Sequence, residues 1–323
     1  MHRESHTAWS SSAGEPVGVL GATSFVGQTV LARLRAAGLQ SADLATPDRP
    51  VHAFSRSAAA VAAGNASSGV HWHHLPSDVT LWQQPIPGWI AVCPLWAVSE
   101  HLPLLAASGA RRLVAISSTS LFTKRTSVSQ AERSLAARLS AAESAVLDRS
   151  RANNIVTTIL RPTMIYDGIH DQNVTAIARF IRRYGFLPVA GAAKGLRQPV
   201  HADDVAAAAV AALARDSLRD TYELSGGETL TYREMVRQIF VWLERSPRLV
   251  TVPRWLVRAA GPVVGLLPGL GRLPAMAARM NEDLVFDHGA ATRDIGFQPR
   301  AFTLPFHADS NHAAGSHEIL RAP

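Results

Sequence analysis

The chain has 323 residues, 47% of them hydrophobic, which is enough to bury a sizeable core in one large domain or two modest ones and excludes a disordered or fibrous protein. Its formal charge of +7 comes from dispersed residues, nearly all arginine, so it suits a nucleotide or phosphate and makes no case for nucleic acid. With the single cysteine Cys93, no internal disulfide can form.

Residues 1–16 are polar and lack the apolar core of a secretion signal, so they are expected to form a loose tail on a cytoplasmic protein. From Val17 onward, short β-branched or apolar runs alternate with Ala/Leu-rich stretches of helical spacing, the pattern of βαβ units around a parallel sheet. The predicted strands are VGVLGA, VHAFSR, VHWHHL, WIAVCPL, RRLVAIS, IVTTILRP and, later, TYELSG. Helices are predicted over Gly27 to Ala37, Ser99 to Ala107, Ala131 to Arg149 and Val174 to Tyr184. His71, His73 and His74 fall on the third strand and are read as surface imidazoles rather than metal ligands. No Cys/His group has zinc spacing.

The fold class is therefore α/β, a doubly wound parallel sheet of Rossmann type with a smaller, mostly helical substrate region. The dinucleotide-binding part is expected over 17–166, completed by 198–226, and the capping region over 167–197 and 227–308. Long loops are expected at TMIYDGIHDQN and LPVAGAAKGLRQPV. The apolar stretch from Trp255 to Met276 is broken by Arg258, prolines and glycines, so a packed helical lid is expected there and no transmembrane span. Residues 309–323 are expected to form a second loose tail.

VGVLGATSFVGQTVLARL places a glycine turn between the first strand and the first helix. Gly21 permits the turn, Gly27 permits close packing, and the helix N-terminus offers amides to a pyrophosphate. Ser24 stands where close approach to phosphate more often selects glycine. The second strand ends in VHAFSRS, with no carboxylate for a ribose 2′-hydroxyl and with Arg56 placed to pair with a 2′-phosphate. NADP(H) is therefore predicted over NAD(H). The predicted coenzyme contacts are Gly21, Thr23, Ser24, Phe25, Val26, Gly27, Ser55, Arg56, Asp78, Pro94 and Ser117.

In their order, GATSFVG, FSRS, RRLVAISSTSLF, ILRPTMIYDG, GLRQPVHADDVAAA and YELSGGETLTYREM resemble the extended and atypical short-chain dehydrogenase/reductases, in particular the nucleoside-diphosphate-sugar epimerase and dehydratase group. The resemblance runs from Val17 to Phe306. It implies that Ser118 meets the reacting oxygen, that Ser117 helps position the nicotinamide, and that Asn173 and Arg197 contact a substrate diphosphate. Arg182, Arg183 and Lys194 would add charge at the mouth, and Asp204 would fix a helix start or a loop. The implied homodimer would pack through helices beside the fifth strand.

This chain departs from the family at the acid/base pair. The family's Tyr-x-x-x-Lys positions, aligned through Glu143, fall on Leu135 and Leu139, and neither leucine can move a proton. None of the four tyrosines, at 166, 184, 222 and 232, has a lysine four residues later. Lys124 or Thr123 in LFTK is one relocated candidate, a substrate group or a capping-region tyrosine such as Tyr166 another, and loss of turnover a third reading, as in the 39-kDa-type accessory subunit of respiratory complex I. For Tyr166, a packing role in ordering its loop is preferred. Three functions follow as expectations: an NADP(H)-dependent nucleotide-sugar enzyme with an atypical site, a non-catalytic NAD(P)-binding protein, or a carbonyl reductase of a small or lipid-like substrate.

Overall fold

The computed structural model describes residues 15–39, 50–65, 69–75, 85–253, 255–256 and 273–304. Both predicted tails, apart from Glu15 and Pro16, lie outside these residues, as do Asp78 and most of the Trp255 to Met276 stretch.

All seven predicted strands pair in one sheet. They are β1 (Val17–Leu20), β2 (Val51–Ser55), β3 (His71–His74), β4 (Gly88–Ala91), β5 (Arg112–Ile116), β6 (Val156–Pro162) and β11 (Thr221–Leu224). The order is β11-β6-β5-β4-β1-β2-β3, and every pairing is parallel. Parallel strands are covered on both faces, which is why VGVL and GWIA are buried throughout and read as continuous runs. The strand order reverses at β1, which lies between β2 and β4, and such a sheet opens its ligand crevice there, beyond the carboxyl ends of its strands.

On one face, α1 (Phe25–Leu39) lies beside α7 (Ala202–Leu213), and Val30, Leu31 and Leu34 share a buried cluster with Val205, Ala209 and Ala212. On the other face, α3 (Leu95–Ala107) and α5 (Gln130–Ala152) bury Leu95, Val98, Leu102, Ala142 and Val146. Each fully buried leucine or valine contributes roughly 1.5–3 kcal/mol of transfer free energy. Helix α1 starts two residues before its predicted start because Ser24 caps it. Helix α3 starts four residues early, directly after Pro94, and keeps Pro103 inside it.

The two segments expected as long loops carry short strands instead. These are β7 (Ile165–Tyr166), β8 (Leu187–Ala190), β9 (Leu196–Arg197) and β10 (Val200–His201), which pair locally or with β12 (Leu230–Thr231) and β13 (Leu249–Val252). Runs of two to four residues give too few alternations to read from sequence. Helix α4 (Ser120–Thr123) follows β5. Helix α2 (Ala58–Asn65) follows β2; helices α6 (Val174–Tyr184) and α8 (Tyr232–Trp242) share a third buried cluster with Leu187, Val189 and Phe302, and α9 (Leu273–Arg279) and α10 (Gly289–Ile295) come last. Among the described residues, no helix is long and apolar enough to cross a membrane.

Candidate functional site

At the end of β1 the chain turns through Gly21, whose φ of +78° belongs to the left-handed region. A Cβ at Gly21 would lie 2.7 Å from the Cys93 nitrogen, so the turn can approach the end of β4 only without a side chain. A Cβ at Gly27 would lie 2.5 Å from the Gly21 oxygen, which ties the helix start to the same turn. Ser24 closes the arrangement: its Oγ donates to the Gly21 carbonyl at 2.9 Å and accepts from the Gly27 amide at 3.0 Å. That bond satisfies one of the four amides a helix leaves open at its start, and the amides of Phe25 and Val26 remain without an intrahelical acceptor. The Val26 side chain is buried in the core, so only its backbone can serve a ligand.

The same end of the sheet holds Thr23, Ser55, Arg56 and Pro94. The Thr23 and Ser55 hydroxyls lie 3.5 Å apart, and the buried Ser55 Oγ also accepts from the Ser57 amide at 3.1 Å. Arg56 is exposed just past β2, and Pro94 is exposed at the start of α3, past β4. Burial pushes the neighbouring Cys93 thiol up to about 11, so Cys93 is no ready nucleophile.

Beyond Phe25 a cavity of about 710 Å³ opens between the ends of β5 and β6 and the α6, α8 and α9 region. Ser117, Ser118, Lys124, Asn173 and Arg197 all line it, so the structure brings the predicted catalytic and substrate residues together. Their individual chemistry differs from the expectation in two cases. Ser117 Oγ donates to Glu143 Oε1 at 2.5 Å, which commits its proton inside the protein. Arg197 is buried, and its guanidinium donates to the carbonyls of Leu196 at 2.6 Å, Glu282 at 2.7 Å and Arg279, with Tyr232 under its face. Burial lowers its pKa to about 10. Three carbonyls thus take three of its five N–H donors, both of those on Nη1 among them.

Ser118 accepts from the Ser120 amide at 3.1 Å and keeps its hydroxyl proton for a ligand. Lys124 follows α4 and lies in the electrostatic field of Glu132, which also pairs with Arg279. Asn173 is exposed at the start of α6. Arg182 and Arg183 lie over the Trp242 and Tyr184 rings, and neither they nor Lys194 line the cavity. Asp204 accepts from the Arg300 amide at 3.0 Å and its guanidinium at 2.9 Å, a loop-fixing role.

Leu139 is buried on α5, and neither it nor Leu135 lines the cavity. Tyr166 is fully buried: its hydroxyl donates to the Thr303 carbonyl and accepts from the Thr303 amide, each at 3.2 Å. It orders a loop, and burial raises its pKa.

Among the lining residues with no role assigned from sequence are His170 and Tyr232. His170 Nδ1 sits 2.8 Å from Asp167 Oδ2, and the only sequence signal is their spacing of three residues. Tyr232 lines the far wall, but burial pushes its phenol up to about 12, which makes it a poor proton acceptor near neutrality. On β3, His71 and His74 face outward, while His73 Nε2 lies 3.0 Å from His52 Nδ1. Among the described residues, no group of three or more His, Cys, Asp or Glu side chains could hold a metal ion.

Residues 98–224 match the NAD dependent epimerase/dehydratase family. A mitochondrial protein of Arabidopsis thaliana, NADH dehydrogenase [ubiquinone] 1 alpha subcomplex subunit 9, is 34% identical over 54% of this chain and 44% of its own length. An uncharacterized protein of Sinorhizobium fredii is 26% identical over 60% of this chain and 50% of its own length. The chain thus spans half or less of the length of these curated relatives. A UDP-glucuronic acid 4-epimerase from Bacillus cereus, solved with NAD, superimposes with a TM-score of 0.64 at 13% identity, covering 89% of this chain and 94% of that one. A dTDP-glucose 4,6-dehydratase from Streptomyces venezuelae, also with NAD, gives 0.64 at 16%, covering 89% and 93%. At those identities the likeness is one of fold, and the resemblance to the extended short-chain dehydrogenase/reductases holds at that level.

Proposed function

We propose that this chain, which pairs an NAD dependent epimerase/dehydratase segment over residues 98–224 with the fold of the extended short-chain dehydrogenase/reductases, is a dinucleotide-binding protein that does not use the family's usual proton relay. The coenzyme is a nicotinamide dinucleotide, with NADP(H) preferred. One observation carries the reading: the Gly21 to Gly27 turn holds the Phe25 and Val26 amides open at a strand-to-helix junction, at the point where the sheet order reverses. Arg56, with no carboxylate at the end of β2, supports the 2′-phosphate. Calorimetry tests both parts. NADPH should bind more tightly than NADH, and Arg56→Ala should weaken NADPH by about tenfold or more while changing NADH little. Tighter NADH binding in the unaltered protein sinks the preference, and no binding of either coenzyme sinks the reading.

The nucleotide-sugar reading loses support from the Arg197 geometry and from the leucines at 135 and 139. A role in sensing or assembly gains support from the printed name of the Arabidopsis relative, a subunit of a larger complex. A second reading, a carbonyl reductase, is favoured by the presence of Ser118 and Lys124 on the wall of one cavity. There the coenzyme would supply the hydride, Ser118 would hold the carbonyl oxygen, and Lys124 would return a proton to it.

A further inference from the structure

We propose that the cavity beyond Phe25 takes an uncharged, largely apolar molecule ending in a carbonyl or hydroxyl oxygen, with that oxygen at Ser118, and excludes sugar diphosphates. The inference rests on the dinucleotide reading above, because the coenzyme fixes which end of the cavity receives the oxygen.

Charge is the first ground. A diphosphate entering the cavity would have to lose water and find cations in exchange. Arg197 is committed to three carbonyls, Arg279 is paired with Glu132, and Lys124 lies in the field of the same carboxylate. At the start of α6, where helix amides would otherwise meet a phosphate, a buried carboxylate already takes one of them. Asp171 is 1% exposed, and its carboxylate accepts from the Asn173 amide at 2.9 Å, the Thr175 amide at 3.1 Å and the Thr175 hydroxyl at 2.6 Å. A diphosphate there would meet a fixed negative charge in place of donors.

The apolar wall is the second ground. Met164, Ile177, Phe180, Met280, Leu284 and Phe286 line the same cavity as the serines. Unbranched methionines beside aromatic rings adapt to a chain of variable shape. On this wall Ser118 offers one hydroxyl proton, which suits one neutral oxygen. A long-chain aldehyde or alcohol has this distribution of polarity, and UDP-glucose has the reverse.

The test uses the whole chain saturated with NADPH and titrates straight-chain aldehydes and alcohols by calorimetry, with UDP-glucose as the polar comparison. Affinity should rise about fourfold for each added methylene until the cavity is full. UDP-glucose should produce no heat of binding. Ser118→Ala should weaken every member by a similar factor, and Ile177→Asn should flatten the rise while retaining NADPH binding, which reports that the variant is folded. A chain-length series that is flat in the unaltered protein overturns the proposal, whether or not UDP-glucose binds, and so does tighter binding of UDP-glucose than of the longest aldehyde. If NADPH itself does not bind, the dinucleotide reading falls, while the same series on the coenzyme-free chain still decides what the cavity accepts.

Discussion

Ser117 Oγ and Glu143 Oε1 lie 2.5 Å apart, and this contact ties the end of β5 to the middle of α5. Glu143 is buried and also receives Arg161, whose Nη2 donates to Oε2 at 2.6 Å and whose Nε lies 3.1 Å from each oxygen. Arg161 reaches onward to Glu223 at 3.1 Å, so β5, β6, β11 and α5 meet in one polar network beside the serine cluster. Removing one partner of such a pair leaves the other charge buried alone. Arg161→Met should therefore cost about 3–5 kcal/mol of unfolding free energy, whereas the double change Glu143→Leu with Arg161→Met should cost less than the sum of the single changes. Urea denaturation of the four proteins checks this, and strict additivity would show that the network is not a unit.

The turn after β1 separates a structural role from a ligand role. Ser24→Ala removes the cap to the Gly27 amide and should lower stability by about 1 kcal/mol, with coenzyme affinity changed by no more than about threefold. Gly27→Ala places a methyl group against the Gly21 carbonyl and should weaken coenzyme binding by at least about tenfold as the turn is forced open. Calorimetry on the two variants would contradict this if their order were reversed.

Protonation of the edge of the sheet sets a pH dependence. Desolvation, with His73 and His71 nearby, pushes His52 down to about 4. The unfolded chain therefore takes up a proton at the ordinary value of 6.5, while the folded chain resists it. Stability from this source is fully present above about pH 6.5 and is lost as pH falls toward about 4. Asp203 acts in a lower window: the Arg33 hydrogen bond, with Arg300 also donating, holds it down to about 2, so its contribution disappears as pH falls from about 4 to about 2. Denaturation at a series of pH values should show His52→Phe flattening the upper window alone and Asp203→Asn flattening the lower one alone.

Under the reductase reading, the proton returns through Lys124 rather than Tyr232. Rates of aldehyde reduction should fall about a hundredfold or more in Lys124→Ala and stay within about threefold in Tyr232→Phe. Stopped-flow loss of NADPH absorbance reads both variants, and an unchanged rate in Lys124→Ala removes the lysine from the chemistry.

The sequence alone determined the sheet and the place of the glycine turn after β1. Seven apolar runs separated by helical stretches can satisfy their backbones only as a covered parallel sheet, and glycines at 21 and 27 around a strand end announce a turn that must come close to something. The sequence also shows that none of its four tyrosines has a lysine four residues later. What only the tertiary structure decided was which polar groups are already engaged. Arg197 and Ser117 looked available along the chain, but their partners come from residues 279 and 282 and from Glu143, and the short strands that bring the capping region into place carry too little periodicity to be read. Whether a guanidinium meets a ligand depends on what else it touches, and contacts between residues distant in the chain are set only when the core closes around them.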